Sequence, residues 1–235
     1  MRPTATIVTG DSFSAVVDNV RTYPQIRWVC SDIDGTLLSP LAVVDLYVAA
    51  ARRSGIDIDE SHVLPWLGKI PIQDPLAAAT TLFDKTQAST DTIASVIREY
   101  ETAFSQAPAD YFQRFVYPDI PIALQELSTM GVGLAIISNR YEALALHQLT
   151  GTEIGHFVGR DPGYPRTQEL TLCGGDTPVL EVGQWPEGKA GQLAIHLYKL
   201  AISPGEALVV GDQFDSDMAA ARALKISGIH LQRTT

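Results

Sequence analysis

The strongest constraint on this chain is a repeated arrangement in which a short apolar run stops abruptly at acidic or hydroxyl residues. Residues 27–31 run into Asp32-Ile33-Asp34-Gly35-Thr36, and residues 133–137 run into Ser138-Asn139. Residues 207–210 run into Gly211-Asp212, and residues 227–231 form a fourth run. Three of the four are continuous hydrophobe rather than alternating, as expected of parallel strands covered on both faces. Helical patterns separate them. One spans 120–130 and is closed by Gly131. Another spans 141–149 with Leu144, Leu146 and Leu149. Leu193, Ile195, Leu197 and Leu200 mark a third, and the Ala-rich 216–224 a fourth. Strand and helix patterns in alternation predict an α/β fold with a parallel sheet.

The stretch 40–118 breaks that alternation. It carries helical patterns at 41–53, 75–84 and 90–115 and no clear strand. An all-helical block inside an α/β chain predicts an inserted domain, with edges at Ser39-Pro40 and Pro118-Asp119, where proline favours a helix boundary. The core is then 1–39 together with 119–235. Phe13, Val16, Val17 and Val20 make a helical stripe within 1–26, after Asp11-Ser12, a pair suited to capping. Two β-like runs, 169–173 and 178–182, flank Gly174-Gly175-Asp176 and predict a hairpin within 161–188.

Composition narrows the function. The formal charge is −10, with a pI near 4.8 and no Lys/Arg cluster. That argues against nucleic acid and anionic membrane as partners. The longest run without a formal charge, 127–139, is too short to span a bilayer. The N-terminus lacks the apolar region of a signal peptide. Two cysteines, Cys30 and Cys173, make neither a disulfide framework nor a thiolate zinc site and point to a reducing compartment. The expectation is a cytoplasmic protein.

Chemistry enters where the runs end. Asp32 and Asp34 follow one strand, Ser138 a second, and Asp212 a third, with Asp215 and Asp217 beyond it. In an open parallel sheet, ligands bind outside the carboxyl ends of the strands. These distant positions therefore converge on one edge, where several carboxylates would repel one another without a cation. An all-oxygen ligand set suits Mg²⁺. His62, His147, His156, His196 and His230 show no metal-ligand spacing and read as structural. Cys30 reads as a buried small hydrophobe, and Tyr100, Phe104, Tyr111, Phe112 and Phe115 as core.

These residues resemble the haloacid dehalogenase (HAD) superfamily over roughly 27–231. Asp32-Ile33-Asp34-Gly35-Thr36-Leu37 is similar to its first motif and Ser138 to its second. Lys189 falls where the third motif's Lys is expected, although Ala190-Gly191-Gln192 replaces the usual Pro-x-Pro continuation. Gly211 to Asp217 resembles the fourth motif in its G-D-x-x-x-x-D form. The resemblance implies a Rossmann-like sheet with a helical cap inserted between motifs one and two. It implies Asp32 as nucleophile, forming an aspartyl-phosphate. Asp34 is then general acid and afterwards base. Ser138 and the Asn139 amide would bind phosphoryl oxygens, and Lys189 would offset charge. Mg²⁺ would be held by the carboxylates of Asp32 and Asp212 and the Asp34 carbonyl, with Asp217 weaker or through water.

The presence of Asp34 favours hydrolysis of a small phosphate monoester. A phosphomutase and a catalytically idle phosphate-binding module are the alternatives. Trp66-Leu67-Gly68-Lys69 resembles the specificity loop of phosphoglycolate-phosphatase-like members, which makes Lys69 a candidate substrate contact or simply an exposed loop residue. Arg140 is a candidate for substrate or for a surface ion pair, and Asp215 an exposed or supporting acid. The N-terminal 26 residues and the hairpin are additions to the family pattern and offer surfaces for a homodimer.

Overall fold

The computed structural model describes residues 5–66, 79–80, 82–83, 88–108, 110–139, 142–157, 188–199 and 201–233. The elements run β1 (Ile7–Gly10), α1 (Ser14–Thr22), β2 (Trp28–Ser31), α2 (Leu41–Arg53), α3 (Glu60–Val63), α4 (Thr90–Ser105) and α5 (Ile120–Thr129). After them come β3 (Gly133–Ile136), α6 (Glu142–Thr150), α7 (Lys189–Lys199), β4 (Ala207–Gly211), α8 (Ala219–Ala223) and β5 (Ser227–Leu231). Lys69, Arg140, the hairpin at 169–182 and most of the pattern at 75–84 lie outside the described residues.

Among the described residues, five strands form one parallel sheet in the order β1-β5-β4-β2-β3. The pleat sends alternate side chains to opposite faces. Val29, Leu134, Ile136, Leu208, Val210 and Ile229 pack with Val16, Val17 and Val20 of α1 and Leu124 and Leu127 of α5. Trp28, Cys30, Ala135 and Val209 face the other way, onto Leu193 and Leu197 of α7 and Ala220 and Ala221 of α8. Both faces are thereby covered, which explains why the central strands carry continuous hydrophobe. The fold is the α/β, Rossmann-like one expected.

Three local readings need correction. The N-terminal segment contributes strand β1, which pairs Ile7 with Gly228 at the sheet edge and was not legible as a strand. Its burial alternates only weakly, because an edge strand is covered less than a central one. The α1 stripe is buried as expected, but neither Asp11 nor Ser12 caps the helix. The Phe13 amide instead donates to Asp119 Oδ2 at 2.7 Å, a partner 106 residues away. The helical pattern at 90–115 divides: α4 ends at Ser105, and a short 3₁₀ turn spans Phe112–Phe115. Pro108 lies between them and lacks the amide that a continuous helix requires.

The helical block has its own apolar cluster, in which Val44, Tyr47, Val48, Ile93 and Val96 join α2 to α4 and bury Phe83. Its base, including Ala42, Val43, Phe104 and Phe112, packs in the same cluster as the sheet. The two connecting segments run side by side. Leu38 and Val116 form an antiparallel bridge, flanked by hydrogen bonds from Ser39 N to Phe115 O (2.7 Å) and from Tyr117 N to Leu37 O (3.2 Å). Among the described residues no helix is long and apolar enough to cross a membrane.

Candidate active site

The chain passes from β2 to β3 on one side and later returns to β4 on the other, so the carboxyl end of β2 lies at a topological switch point. Asp32 leaves β2 there and its amide donates to Val210 O at 2.9 Å. The chain then winds tightly: the amides of Thr36, Leu37 and Leu38 all point to the Ile33 carbonyl, and Gly35 N donates to Leu38 O at 2.7 Å. Gly35 sits at φ +79°, and a Cβ on it would lie 2.2 Å from Asp212 Oδ2. Glycine is required here twice over, for the left-handed backbone and for the approach of the Asp212 carboxylate.

The structure brings Asp32, Asp212 and Asp217 together, with a carboxylate oxygen of each within 4.8 Å of the others. Lys189, at the start of α7 and almost fully buried, reaches between two of them. Its Nζ lies 2.6 Å from Asp217 Oδ1 and 3.0 Å from Asp32 Oδ2. Lysine at this depth is tolerated only because it is paired. Asp217 is wholly buried, and its Oδ2 also accepts the Gln213 amide at 3.0 Å. Asp217 thus anchors Lys189 and the β4 loop. A π-helical turn over Phe214–Met218 opens the loop's helix and turns Asp217 inward, whereas Asp215 points out to solvent.

Charge is crowded. Burial, reinforced by Asp217, Asp212 and Asp34, pushes the Asp32 carboxyl up to about 8, against the pull of Lys189. Burial and Asp217 push Asp212 to about 7. For Lys189 burial works against the charge, but Asp32 and Asp217 outweigh it and hold the ammonium above its ordinary range. Three carboxylates against one ammonium leave the cluster short of positive charge. Asp212 Oδ1 is buried with no hydrogen-bond partner among the described residues. An orphan oxygen in an all-oxygen, electron-rich set fits a hard divalent cation.

Ser138 is buried two residues beyond β3, whose Ile136 is paired with Ser31 of β2, and Asn139 is half-buried beside it. Asp34 is half-buried, and its Oδ1 accepts a 2.9 Å hydrogen bond from Gln148 Nε2 on α6. Sequence reasoning missed Gln148. It named Leu144, Leu146 and Leu149 in the helical pattern, of which Leu149 is fully buried and Leu144 and Leu146 are half-buried. The buried face is Ala145, Gln148 and Leu149. The available signal was a polar residue three after Ala145. Two further supports were also missed. His230 Nε2 lies 3.0 Å from the Asp212 carbonyl, and Arg233 donates to Thr36 O at 3.0 Å and to both Asp119 oxygens at 2.9 and 3.2 Å.

Known proteins resemble this chain in sequence and in fold. Residues 26–225 match the family described as haloacid dehalogenase-like hydrolase. A phosphoglycolate phosphatase of Vibrio vulnificus is 27% identical over 86% of this chain and 82% of its own length. A haloacid dehalogenase-like hydrolase from Streptococcus pneumoniae shares the fold with a TM-score of 0.63 and 20% identity, over 88% of this chain and 85% of that one. A HAD family hydrolase from Deinococcus radiodurans, solved with bound phosphate and sodium, gives 0.57 at 15% identity, over 87% and 80%. Strand-end acids, a paired buried lysine and a match spanning most of the chain lead to one assignment: the protein belongs to the haloacid dehalogenase-like hydrolase family.

Proposed function

We propose that the protein is a Mg²⁺-dependent phosphatase that hydrolyses a small phosphate monoester through an aspartyl-phosphate on Asp32. The observation that carries this reading is the fixing of Asp32 at the end of β2 by buried Lys189, with a second acid, Asp34, two residues on. Lys189 holds Asp32 by Oδ2, which orients the other oxygen toward phosphorus. An Asp32 oxygen bonds to phosphorus as the bond to the leaving oxygen breaks, and Asp34 gives its proton to that oxygen. Asp34 then takes a proton from water. The water oxygen bonds to phosphorus, and the Asp32–phosphorus bond breaks to release inorganic phosphate. Ser138 and the Asn139 amide bind the phosphoryl oxygens. Mg²⁺, held by Asp32, Asp212 and the Asp34 carbonyl, would neutralise charge on the phosphoryl group. Asp217 serves through Lys189 rather than as a principal metal ligand.

The named Vibrio relative supports a small phosphorylated acid, phosphoglycolate among them, as substrate. Residues 40–118 act as a lid whose paired connecting segments, 37–39 and 115–117, form the hinge. Lid closure excludes water, and Lys69 and Arg140 are the candidate substrate contacts. The low cysteine content, two in the whole chain, supports a cytoplasmic setting. The N-terminal segment and the 161–188 insertion remain the surfaces for a homodimer.

The test is phosphate release from phosphoglycolate, sugar phosphates and p-nitrophenyl phosphate, with and without Mg²⁺, beside Asp32→Asn. The expected result is Mg²⁺-dependent release that falls by more than about 10³-fold in the variant. Transfer of phosphate to a sugar rather than water would make the protein a mutase. Inertness to the whole panel would make it a binding module.

A further inference from the structure

Gln148 is wholly buried in α6, on the face that also buries Ala145 and Leu149. Its Nε2 donates to Asp34 Oδ1 at 2.9 Å, across 114 residues of sequence. Its Oε1 is buried with no hydrogen-bond partner among the described residues. Leaving a buried amide oxygen unsatisfied is destabilising. A Leu or Met in the same place would avoid that cost. What Gln148 supplies that an apolar residue would not is a single N–H directed at one oxygen of Asp34.

We propose that Gln148 is a positioning residue for the acid step, one that rests on the phosphatase reading above. By engaging Oδ1 it fixes the rotation of the Asp34 carboxyl group, so that the other oxygen faces the leaving group. As the phosphorus–oxygen bond breaks, the proton carried by Asp34 moves to the departing alkoxide. In the first half-reaction the effect is confined to leaving groups that need a proton; the later activation of water by Asp34 is common to all esters and enters kcat but not kcat/KM. An aliphatic alkoxide needs that proton, whereas p-nitrophenolate departs without it.

The decisive experiment compares Gln148→Met and Gln148→Leu with the wild type on two esters, phosphoglycolate and p-nitrophenyl phosphate, in saturating Mg²⁺. Both variants remove the donor and leave the buried site apolar, and thermal melting checks that they fold. The expected result, read in kcat/KM so that only the steps up to departure of the alcohol count, is a fall of about 10- to 100-fold on phosphoglycolate. The loss on p-nitrophenyl phosphate should stay within about 3-fold. In an Asp34→Asn background, Gln148→Met should have no further effect on phosphoglycolate. Equal losses on both esters, or a loss that persists beside Asp34→Asn, would overturn the proposal and leave Gln148 a packing residue. A wild type inert to both esters overturns the phosphatase reading itself, a separate result.

Discussion

Lys189→Met is the most informative single perturbation of the site. Methionine keeps most of the lysine stem and removes the ammonium, which lies 2.6 Å from Asp217 and 3.0 Å from Asp32. Those carboxylates are 0% and 6% exposed, so water cannot replace the lost partner. Breaking a buried ion pair from one side costs about 3–5 kcal/mol. The cost depends on pH because Asp32 can escape it by taking a proton. Its folded carboxyl already titrates near 8 rather than at the ordinary 3.8, and that of Asp212 near 7. Between the ordinary value and these raised ones, the native state holds protons that the unfolded chain has released. The stability of the metal-free protein therefore falls as pH rises from about 4 to about 8. Without Lys189 this slope steepens. In urea unfolding with a chelator, Lys189→Met should lose close to the full amount at about pH 8.5, and less than half of it at about pH 5.5. Excess Mg²⁺ should recover part of the loss at the higher pH, since it binds the native carboxylates. A loss below about 1 kcal/mol at high pH, or one independent of pH, would refute the idea that Lys189 compensates these acids.

Two other substitutions probe what surrounds the site. Gly35→Ala forces an L-residue to φ +79° and drives its Cβ into Asp212. It should destabilise the protein by more than about 1 kcal/mol and abolish the Mg²⁺-induced rise in melting temperature. Arg233→Leu removes the clamp between Thr36 and Asp119. Burial tends to raise the Asp119 carboxyl, but the Arg233 hydrogen bonds outweigh it and hold it below its ordinary range. Stability from this pair is present above that range and disappears as pH falls through the lowered value. Wild type and variant should therefore differ in urea unfolding at neutral pH and converge as pH falls below the ordinary carboxylate range.

The parts of the fold that were legible are those with local signatures. The central strands are continuous hydrophobe because both faces of a parallel sheet are covered, and that pattern lies in consecutive residues. Strand β1 was not legible, because its place depends on pairing with residues 227–231 at the other end of the chain. The end of α4 at Ser105 was blurred by an aromatic pattern that continues through Phe112 and Phe115. Those rings are indeed packed in or against the core, but from a separate turn.

The order and types of residues alone determined the α/β class and the strand-end acids, and resemblance to a family motif added the candidacy of Lys189. Tertiary structure decided which oxygens meet which nitrogens. It gave Asp217 to Lys189 and the Gln213 amide, left Asp212 Oδ1 unpartnered, and set Gln148 against Asp34. Such contacts join residues up to 114 positions apart, and their geometry follows from how helices pack on a sheet. No stretch of consecutive residues encodes that packing.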